Sequence, residues 1–133
     1  DERSKNIEIP NKSKSWFKYE PYQYYNYNIS PDGSKIALAT EDNNIILWNS
    51  NFQDYNIIIL QNSYRINDIV FSNNGQYLAT SSIDKTLKVW DVNTGKLIKV
   101  FEFDNDWITA ISFNKNMLIC GSYKGKIIKK YLN

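Results

Sequence analysis

Apolar and polar positions alternate over short runs in this chain, and each run ends in residues that favour turns. In the middle of the chain the runs cover residues 66–71, 77–82, 86–91 and 96–101. Between them stand Asn73-Asn74-Gly75, Asp84-Lys85 and Asn93-Thr94-Gly95, which are residue types that tolerate a positive φ. No window of a dozen residues has the 3.6-residue apolar period of a helix, so the pattern predicts consecutive β-strands joined by tight turns.

The strand pattern repeats along the chain. Residues 30–48 align without a gap with residues 72–90, which places Trp48 over Trp90, 42 positions later. A third copy covers residues 108–113, 117–122 and 126–131, with its first turn two residues shorter. Four strands in a repeat of about 40–45 residues are typical of one β-propeller blade. The sequence therefore predicts an all-β fold of three four-stranded antiparallel blades. Three blades do not close a ring, so they form part of a larger propeller, an open one, or one closed by oligomerisation.

Two stretches resemble the WD-repeat family. They are Ser30-Pro31-Asp32-Gly33 followed by residues 36–40, and residues 81–91 followed by Asn93-Thr94-Gly95-Lys96. The resemblance begins at about residue 15 and implies an N-terminal tail at 1–14, with propeller blades over 15–133. The repeats then cover about 15–55, 56–95 and 96–133, the third being degenerate. In this family each repeat supplies the outer strand of one blade and the three inner strands of the next, which makes residues 16–19 an outer strand.

The aromatic run before the first complete copy is also explained by the repeat. Tyr24, Tyr27 and Ile29 fall at the positions of Ile66, Ile69 and Phe71. Apolar side chains at these alternating positions are expected in the core between blades.

The resemblance implies side chains that brace each blade. In the family these are a Trp on the third strand, a Ser or Thr on the second, an Asp in the turn between them, and a His near the opening strand. The corresponding residues are Thr40, Asp42 and Trp48 in the first unit, and Ser82, Asp84 and Trp90 in the second. The chain has no histidine, and Asn62 and Asp104 stand at that position. In the third unit Lys124 and Lys130 replace the Asp and the Trp, so its bracing is expected to be largely lost.

The resemblance also implies where a partner protein would bind, namely the narrow face around the central channel. Its positions are the strand entrances and the residue before each bracing Asp: Gln23, Glu41, Arg65, Ile83, Trp107 and Tyr123. Arg, Trp and Tyr dominate binding hot spots because they bury a large area and carry a polar group. Trp107 could instead pack against the neighbouring blade.

Catalytic groups are scarce in this composition. Without histidine there is no Ser-His or Cys-His nucleophile pair, and one cysteine cannot form a Cys-rich zinc site. Cys120 aligns with Thr80 and is expected to be a small buried residue rather than a reactive thiol. The five glycines are scattered and form no phosphate-binding loop. We therefore expect no metal, no cofactor and no enzymatic activity.

Charge does not single out a partner. The net charge of +2 is the difference of 16 basic and 14 acidic residues, which are interspersed. The one basic concentration is Lys124, Lys126, Lys129 and Lys130, which could contact nucleic acid but is better explained as a solvated strand edge.

The leading hypothesis is therefore a non-catalytic scaffold for protein partners, with further blades or a second copy completing the ring. The alternative is a nucleic-acid-binding or purely architectural subunit of a larger assembly, which could be a ribonucleoprotein. No apolar run is long enough to span a membrane, and the single cysteine fits a reducing compartment, so we expect an intracellular protein of the cytoplasm or nucleus.

Overall fold

Hairpins with tight turns organise the chain. The structure is a computed structural model that describes residues 26–40, 43–49, 57–60, 62 and 64–133. Its regular elements in these residues are eleven strands. They are β1 (Asn26–Ile29), β2 (Lys35–Ala39), β3 (Ile45–Asn49), β4 (Ile57–Leu60), β5 (Ile66–Phe71), β6 (Tyr77–Ser82), β7 (Thr86–Asp91), β8 (Leu97–Glu102), β9 (Ile108–Asn114), β10 (Met117–Ser122) and β11 (Ile127–Tyr131).

The strands form three antiparallel sheets in which each strand pairs with its neighbour in sequence. The first blade contains β1–β4, the second β5–β8 and the third β9–β11. The predicted all-β fold of consecutive antiparallel blades is confirmed. In the second blade β5, β6 and β7 have the predicted bounds, and the fourth strand begins at Leu97, one residue later than predicted. The third blade has three strands in the described residues. The N-terminal segment 16–19, predicted as an outer strand, lies outside them.

The first turn of each of the first two blades is built in the same way. Ser72 Oγ donates to Asn74 Oδ1 at 2.7 Å and accepts the N–H of Tyr77 at 3.0 Å. Forty-two residues earlier, Ser30 Oγ makes the equivalent bonds to Asp32 Oδ1 and from the N–H of Lys35. Hydrogen bonds from the Ser34 backbone N–H and from the Ser30 and Ser34 hydroxyls lower the pKa of Asp32 to about 2. Asp and Asn are interchangeable here because each offers an oxygen to the same turn.

The core lies between the blades, which pack face to face. The interface of the first and second blades contains Ala37, Ala39, Ile45, Leu47, Leu60, Ile66, Ile69, Phe71, Leu78, Trp90 and Val92. The interface of the second and third blades contains Ala79, Leu87, Val89, Ile108, Ile111, Phe113, Leu118 and Cys120. Cys120 is fully buried, as predicted, and its burial raises the pKa of the thiol to about 11 against a weaker opposing effect of Lys130.

Two residues predicted to lie in an inter-blade core are instead exposed. Ile69 and Phe71 are buried, whereas the aligned residues Tyr27 and Ile29 are among the exposed apolar side chains. The reason is that Ile69 and Phe71 pack against the first blade, and the matching face of the first blade has no preceding blade in the described part of the chain. Tyr24, the third residue of that prediction, lies outside the described residues.

Polar side chains on the innermost strands tie one blade to the next. Asp68 on β5 accepts the N–H of Ile111 on β9 through Oδ2 at 2.7 Å, and the N–H of Ile69 through Oδ1 at 2.9 Å. Asn28 on β1 accepts the N–H of Phe71 on β5 at 3.2 Å. Burial raises the pKa of Asp68, and the hydrogen bonds from Ile111 and Ile69 offset part of that rise. These side chains therefore satisfy backbone donors that the strand pairing within each blade leaves open.

Candidate functional site

Four of the predicted partner-binding residues lie in one continuous row across two blades. The N–H of Ile83 donates to the carbonyl of Arg65 at 3.0 Å, and the N–H of Tyr123 donates to the carbonyl of Trp107 at 2.8 Å. The two blades are then joined because Trp107 Nε1 donates to the carbonyl of Ile83 at 2.8 Å. Equivalent hydrogen bonds form in both blades because the residue before each turn meets the residue that enters the innermost strand.

Three side chains of this row, Ile83, Trp107 and Tyr123, are apolar or aromatic, and the Lys85 ammonium lies beside them. Tyr123 is 73% exposed and Ile83 is 47% exposed. The Trp107 and Tyr123 rings meet edge to face, with centroids 5.8 Å apart. Lys85 Nζ lies 5.1 Å from the centroid of the Trp107 ring. We call Arg65, Ile83, Lys85, Trp107 and Tyr123 the loop surface.

Trp107 packs against the neighbouring blade, which is one of the two alternatives that the sequence left open. Its side chain is half-buried, and both the carbonyl of Ile83 and the ammonium of Lys85 belong to the second blade. The ring therefore packs against the neighbouring blade and at the same time supports the exposed ring of Tyr123. Removing Trp107 would disturb the junction between the blades as well as the surface, so Tyr123 and Ile83 are better probes of binding.

Gln23 and Glu41, the other two predicted positions of this face, lie outside the described residues. So does Asp42, predicted to brace the first blade. Their assignments stay predictions.

A buried carboxylate that the sequence analysis did not select supports the loop surface from below. Asp106 Oδ1 accepts the N–H of Trp107 at 2.9 Å and the N–H of Lys124 at 3.1 Å. Burial opposes ionisation of Asp106, but hydrogen bonds from the Ser122 hydroxyl and these two backbone donors outweigh it and lower the pKa. Asp104, which the repeat alignment placed at the family's histidine position, is exposed. Asp106, two positions closer to β9, is instead the residue whose carboxylate reaches the turn between β10 and β11.

The lowered pKa of Asp106 predicts a pH dependence. A carboxyl whose pKa is lower in the folded state than in the unfolded state stabilises the fold above the unfolded value, and this contribution is lost as the pH falls through the folded value. Asp106→Asn is therefore expected to be less stable than the native chain at neutral pH and to approach it as the pH falls below about 4. Urea unfolding of both proteins over this range measures the difference. A difference in stability that stays constant with pH would contradict the prediction.

The bracing of the second blade uses a different hydroxyl from the one predicted. Trp90 Nε1 donates to Thr80 Oγ1 at 3.0 Å, inside the core. The register explains why Ser82 cannot take this role. Leu78 lies opposite Trp90, and Ser82 is four residues further along β6, about 13 Å away at the usual rise of a strand.

Hydrogen bonds within the turns are instead made by the residues predicted to brace the blades, Ser82, Asp84 and Thr40. Ser82 Oγ accepts the N–H of Asp84 at 3.4 Å, and Asp84 Oδ1 accepts the N–H and the hydroxyl of Thr86 at 3.1 and 2.6 Å. Thr40 is as far from Trp48 as Ser82 is from Trp90, because Ile36 lies opposite Trp48 and Thr40 is four residues further along the chain. The Thr40 hydroxyl donates to the carbonyl of Asn44. The position of Thr80 is occupied by Leu38 in the first blade.

In the third blade the bracing pair is replaced by Cys120 and Lys130. Leu118 lies opposite Lys130 just as Leu78 lies opposite Trp90, so the register is retained. The Lys130 ammonium lies 5.7 and 5.6 Å from the ring centroids of Phe101 and Phe103, which belong to the second blade and the loop after it. A cation over two rings thus takes the place of the indole.

This arrangement also separates the basic cluster seen in the sequence. Lys130 is half-buried, whereas Lys129, the next residue along β11, is exposed and points to the opposite face of the sheet. Lys124 and Lys126 are exposed in and after the turn that precedes β11. The four lysines therefore do not present one continuous basic patch.

The described ranges contain neither a metal-binding cluster nor a membrane-spanning helix. No group of three or more His, Cys, Asp or Glu side chains there could hold a metal ion. None of the elements described is a helix with the length and apolar character needed to cross a bilayer.

Comparison with known proteins identifies the family. Residues 28–116 match the sequence profile of the WD40 domain of anaphase-promoting complex subunit 4. A WD40 repeat-containing protein of Dictyostelium discoideum is 31% identical over 63% of this chain and 14% of its own length. The COMPASS component Swd3 of Saccharomyces cerevisiae is 30% identical over 74% of this chain and 32% of its own length. The chain thus spans a third or less of each of these two relatives.

Solved structures show the same fold. The β-propeller domain of Myceliophthora thermophila Cps50 (Swd1) superposes with a TM-score of 0.71 at 15% identity, over 83% of this chain and 34% of that one. A chain in the crystal structure of the mitotic checkpoint complex superposes with a TM-score of 0.68 at 20% identity, over 78% of this chain and 32% of that one. With its repeated blades and the matching profile, the chain belongs to the WD-repeat family of β-propellers.

Proposed function

We propose that this chain is a non-catalytic, protein-binding part of a multiprotein assembly, and that the loop surface contacts the partner. The observation that carries the proposal is the row from Arg65 to Tyr123, in which residues of two blades are joined by hydrogen bonds into one surface. Tyr123 is largely exposed on it and Ile83 about half exposed, although both side chains are apolar enough to favour burial. Three residues of the row, Arg65, Trp107 and Tyr123, are of the types enriched in binding hot spots.

Relatives support a role in assemblies. Swd3 is a component of COMPASS, and one structural neighbour is a chain of the mitotic checkpoint complex. The absence of histidine from the sequence agrees with a scaffold rather than an enzyme. Nucleic-acid binding is less well supported because the lysines of β11 and its preceding turn are divided between two faces.

A matched pair of double variants tests the proposal. Tyr123→Ala with Ile83→Ala removes the exposed apolar side chains of the loop surface but leaves its backbone hydrogen bonds in place. Tyr131→Ala with Ile127→Ala removes the same two residue types from β11, where they are 60% and 80% exposed. Proteins captured from a cell lysate by the native chain and by each double variant are compared by quantitative mass spectrometry.

The loop-surface variant is expected to lose at least about tenfold of the partner captured by the native chain, since hot-spot truncations cost that much or more. The control variant should retain it. Loss in the control alone would contradict the proposal and favour an architectural role, in which the open sheet face of the third blade contacts its neighbour.

A further inference from the structure

The last strand of the second blade has one unpaired edge. β8 pairs with β7 along its inner edge, and no strand in the described part of the chain pairs with its outer edge. The N–H of Phe103 donates to the carbonyl of Lys85 at 3.0 Å, which directs it towards β7. Because the direction of these groups alternates along a strand, the backbone N–H and C=O groups of Val100 and Glu102 point outward. Another strand could pair with them.

Apolar side chains are exposed along this edge. Ile98 and Val100 are 48% and 42% exposed. The residues that alternate with Val100 face the third blade instead, since Lys99 Nζ donates to the carbonyl of Tyr131 at 3.2 Å and Phe101 packs against the core between the second and third blades. An unpaired strand edge with exposed apolar side chains favours pairing with another chain.

Opposite charges stand at the two ends of β8. Lys96 directly precedes the strand, Glu102 ends it, and both side chains are exposed. Asp104 is a second exposed carboxylate just beyond Glu102. The N–H of Asp91 donates to the carbonyl of Lys96, so the charge of Asp91 lies near that of Lys96 and offsets part of it. The end charges are therefore expected to orient a partner strand rather than to attract it from a distance.

We propose that the outer edge of β8 pairs in antiparallel fashion with β8 of a second copy of this chain. Antiparallel pairing reverses one strand relative to the other, so the Glu102 end of each copy meets the Lys96 end of the other. Ile98 and Val100 then lie near the two-fold axis, between two sets of opposite charges. A two-fold interface requires this kind of self-complementary strand.

The last strand of the third blade lacks this complementarity. The outer edge of β11 is also unpaired in the described residues, and Ile127 and Tyr131 are exposed on it. Its charged residues are Lys129 and Lys130, with Lys126 directly before the strand, and it has no acidic residue. Self-pairing of β11 would place lysines close to lysines, which is unfavourable. Of these two edges, β8 is therefore the one suited to a second copy.

Sedimentation equilibrium of the full chain over a range of concentrations tests the proposal. The native chain is expected to show a weak monomer–dimer equilibrium, because one strand edge buries less area than a standard interface. Val100→Lys places a charge near the axis in both copies and should raise the dissociation constant at least about tenfold. The control Ile127→Lys makes the same change of charge on β11 and should leave dimerisation unchanged. Circular dichroism checks that each variant keeps its strands.

A charge swap tests the antiparallel arrangement. Glu102→Lys alone and Lys96→Glu alone each bring like charges together at both ends of the contact. Each is expected to raise the dissociation constant about fivefold, since exposed ion pairs contribute little individually and each occurs twice. The double variant Lys96→Glu with Glu102→Lys restores opposite charges, and its dissociation constant should return to within about twofold of the native value.

Three results would overturn the proposal. One is a native chain that stays monomeric even at millimolar concentration. Another is equal weakening by Val100→Lys and Ile127→Lys, because overall charge rather than β8 would then control association. The third is a double charge variant that dimerises no better than the single variants. None of these results affects the proposed function, which the capture experiment decides, because Ile83, Trp107 and Tyr123 take no part in the edge of β8.

Discussion

Asp68→Ala is expected to lower the free energy of unfolding by about 2–6 kcal/mol, because an unsatisfied buried donor costs about 1–3 kcal/mol and two donors lose their acceptor. The Asp68 carboxylate accepts the N–H of Ile111 in the third blade at 2.7 Å and the N–H of Ile69 at 2.9 Å. Without it, both backbone donors at the blade junction have no partner. Urea unfolding monitored by tryptophan fluorescence measures the loss.

Asp68→Asn provides the control for Asp68→Ala. The amide keeps one acceptor oxygen, and Asn28 already accepts the N–H of Phe71 at the junction of the first and second blades. We therefore expect the asparagine variant to retain part of the stability that the alanine variant loses. If alanine were no more destabilising than asparagine, or if neither changed the stability, the polar tie between the blades would not matter to the fold.

Thr80→Val is expected to destabilise the chain by about 1–3 kcal/mol, since it keeps the shape of the side chain but leaves the buried indole N–H of Trp90 without an acceptor. The bond that is lost is the 3.0 Å contact from Trp90 Nε1 to Thr80 Oγ1. Chemical denaturation at neutral pH gives the change.

Ser82→Ala is the matched comparison for Thr80→Val, because Ser82 is the residue that repeat alignment assigns to this role. Ser82 Oγ instead accepts the N–H of Asp84 in a long contact of 3.4 Å, so its removal should cost less. A larger loss for Ser82→Ala than for Thr80→Val would contradict the assignment of Thr80 as the bracing residue.

The fold was predictable because its signal is local and repeated. The alternation of apolar residues gave the bounds of β5, β6 and β7, and the offset between Trp48 and Trp90 placed the same strands in the first blade. Turn residues such as Asn73-Asn74-Gly75 fixed the hairpins, since they supply the conformations that the turns need.

Distances between strands were not predictable from the alignment. Thr80 and Ser82 are both hydroxyl residues on the same face of β6, and only the register with β7 decides which one lies near Trp90. Asp104 and Asp106 present the same ambiguity on the approach to β9. The exposure of Tyr27 and Ile29 depends on whether another blade covers them, and the identity of these two residues does not predict that.

The loop surface was predictable in part. Arg65 with Ile83 and Trp107 with Tyr123 come together because the same two repeat positions are joined by the same backbone hydrogen bond in both blades. The position of Lys85 over Trp107 depends on a left-handed turn in one blade and a strand entrance in the next. Because this contact joins two blades, the pattern within a single repeat does not predict it.

Site-specific photo-cross-linking tests the central claim most directly. A photoreactive phenylalanine analogue is placed at Tyr123 or at Tyr131, two exposed tyrosines on different surfaces of the third blade, and the full chain is irradiated in a cell lysate. A partner bound to the loop surface predicts a discrete cross-linked product from position 123, lost on Ile83→Ala, and none from position 131. The same product from position 131, with none from position 123, would contradict the assignment of the loop surface as the binding site.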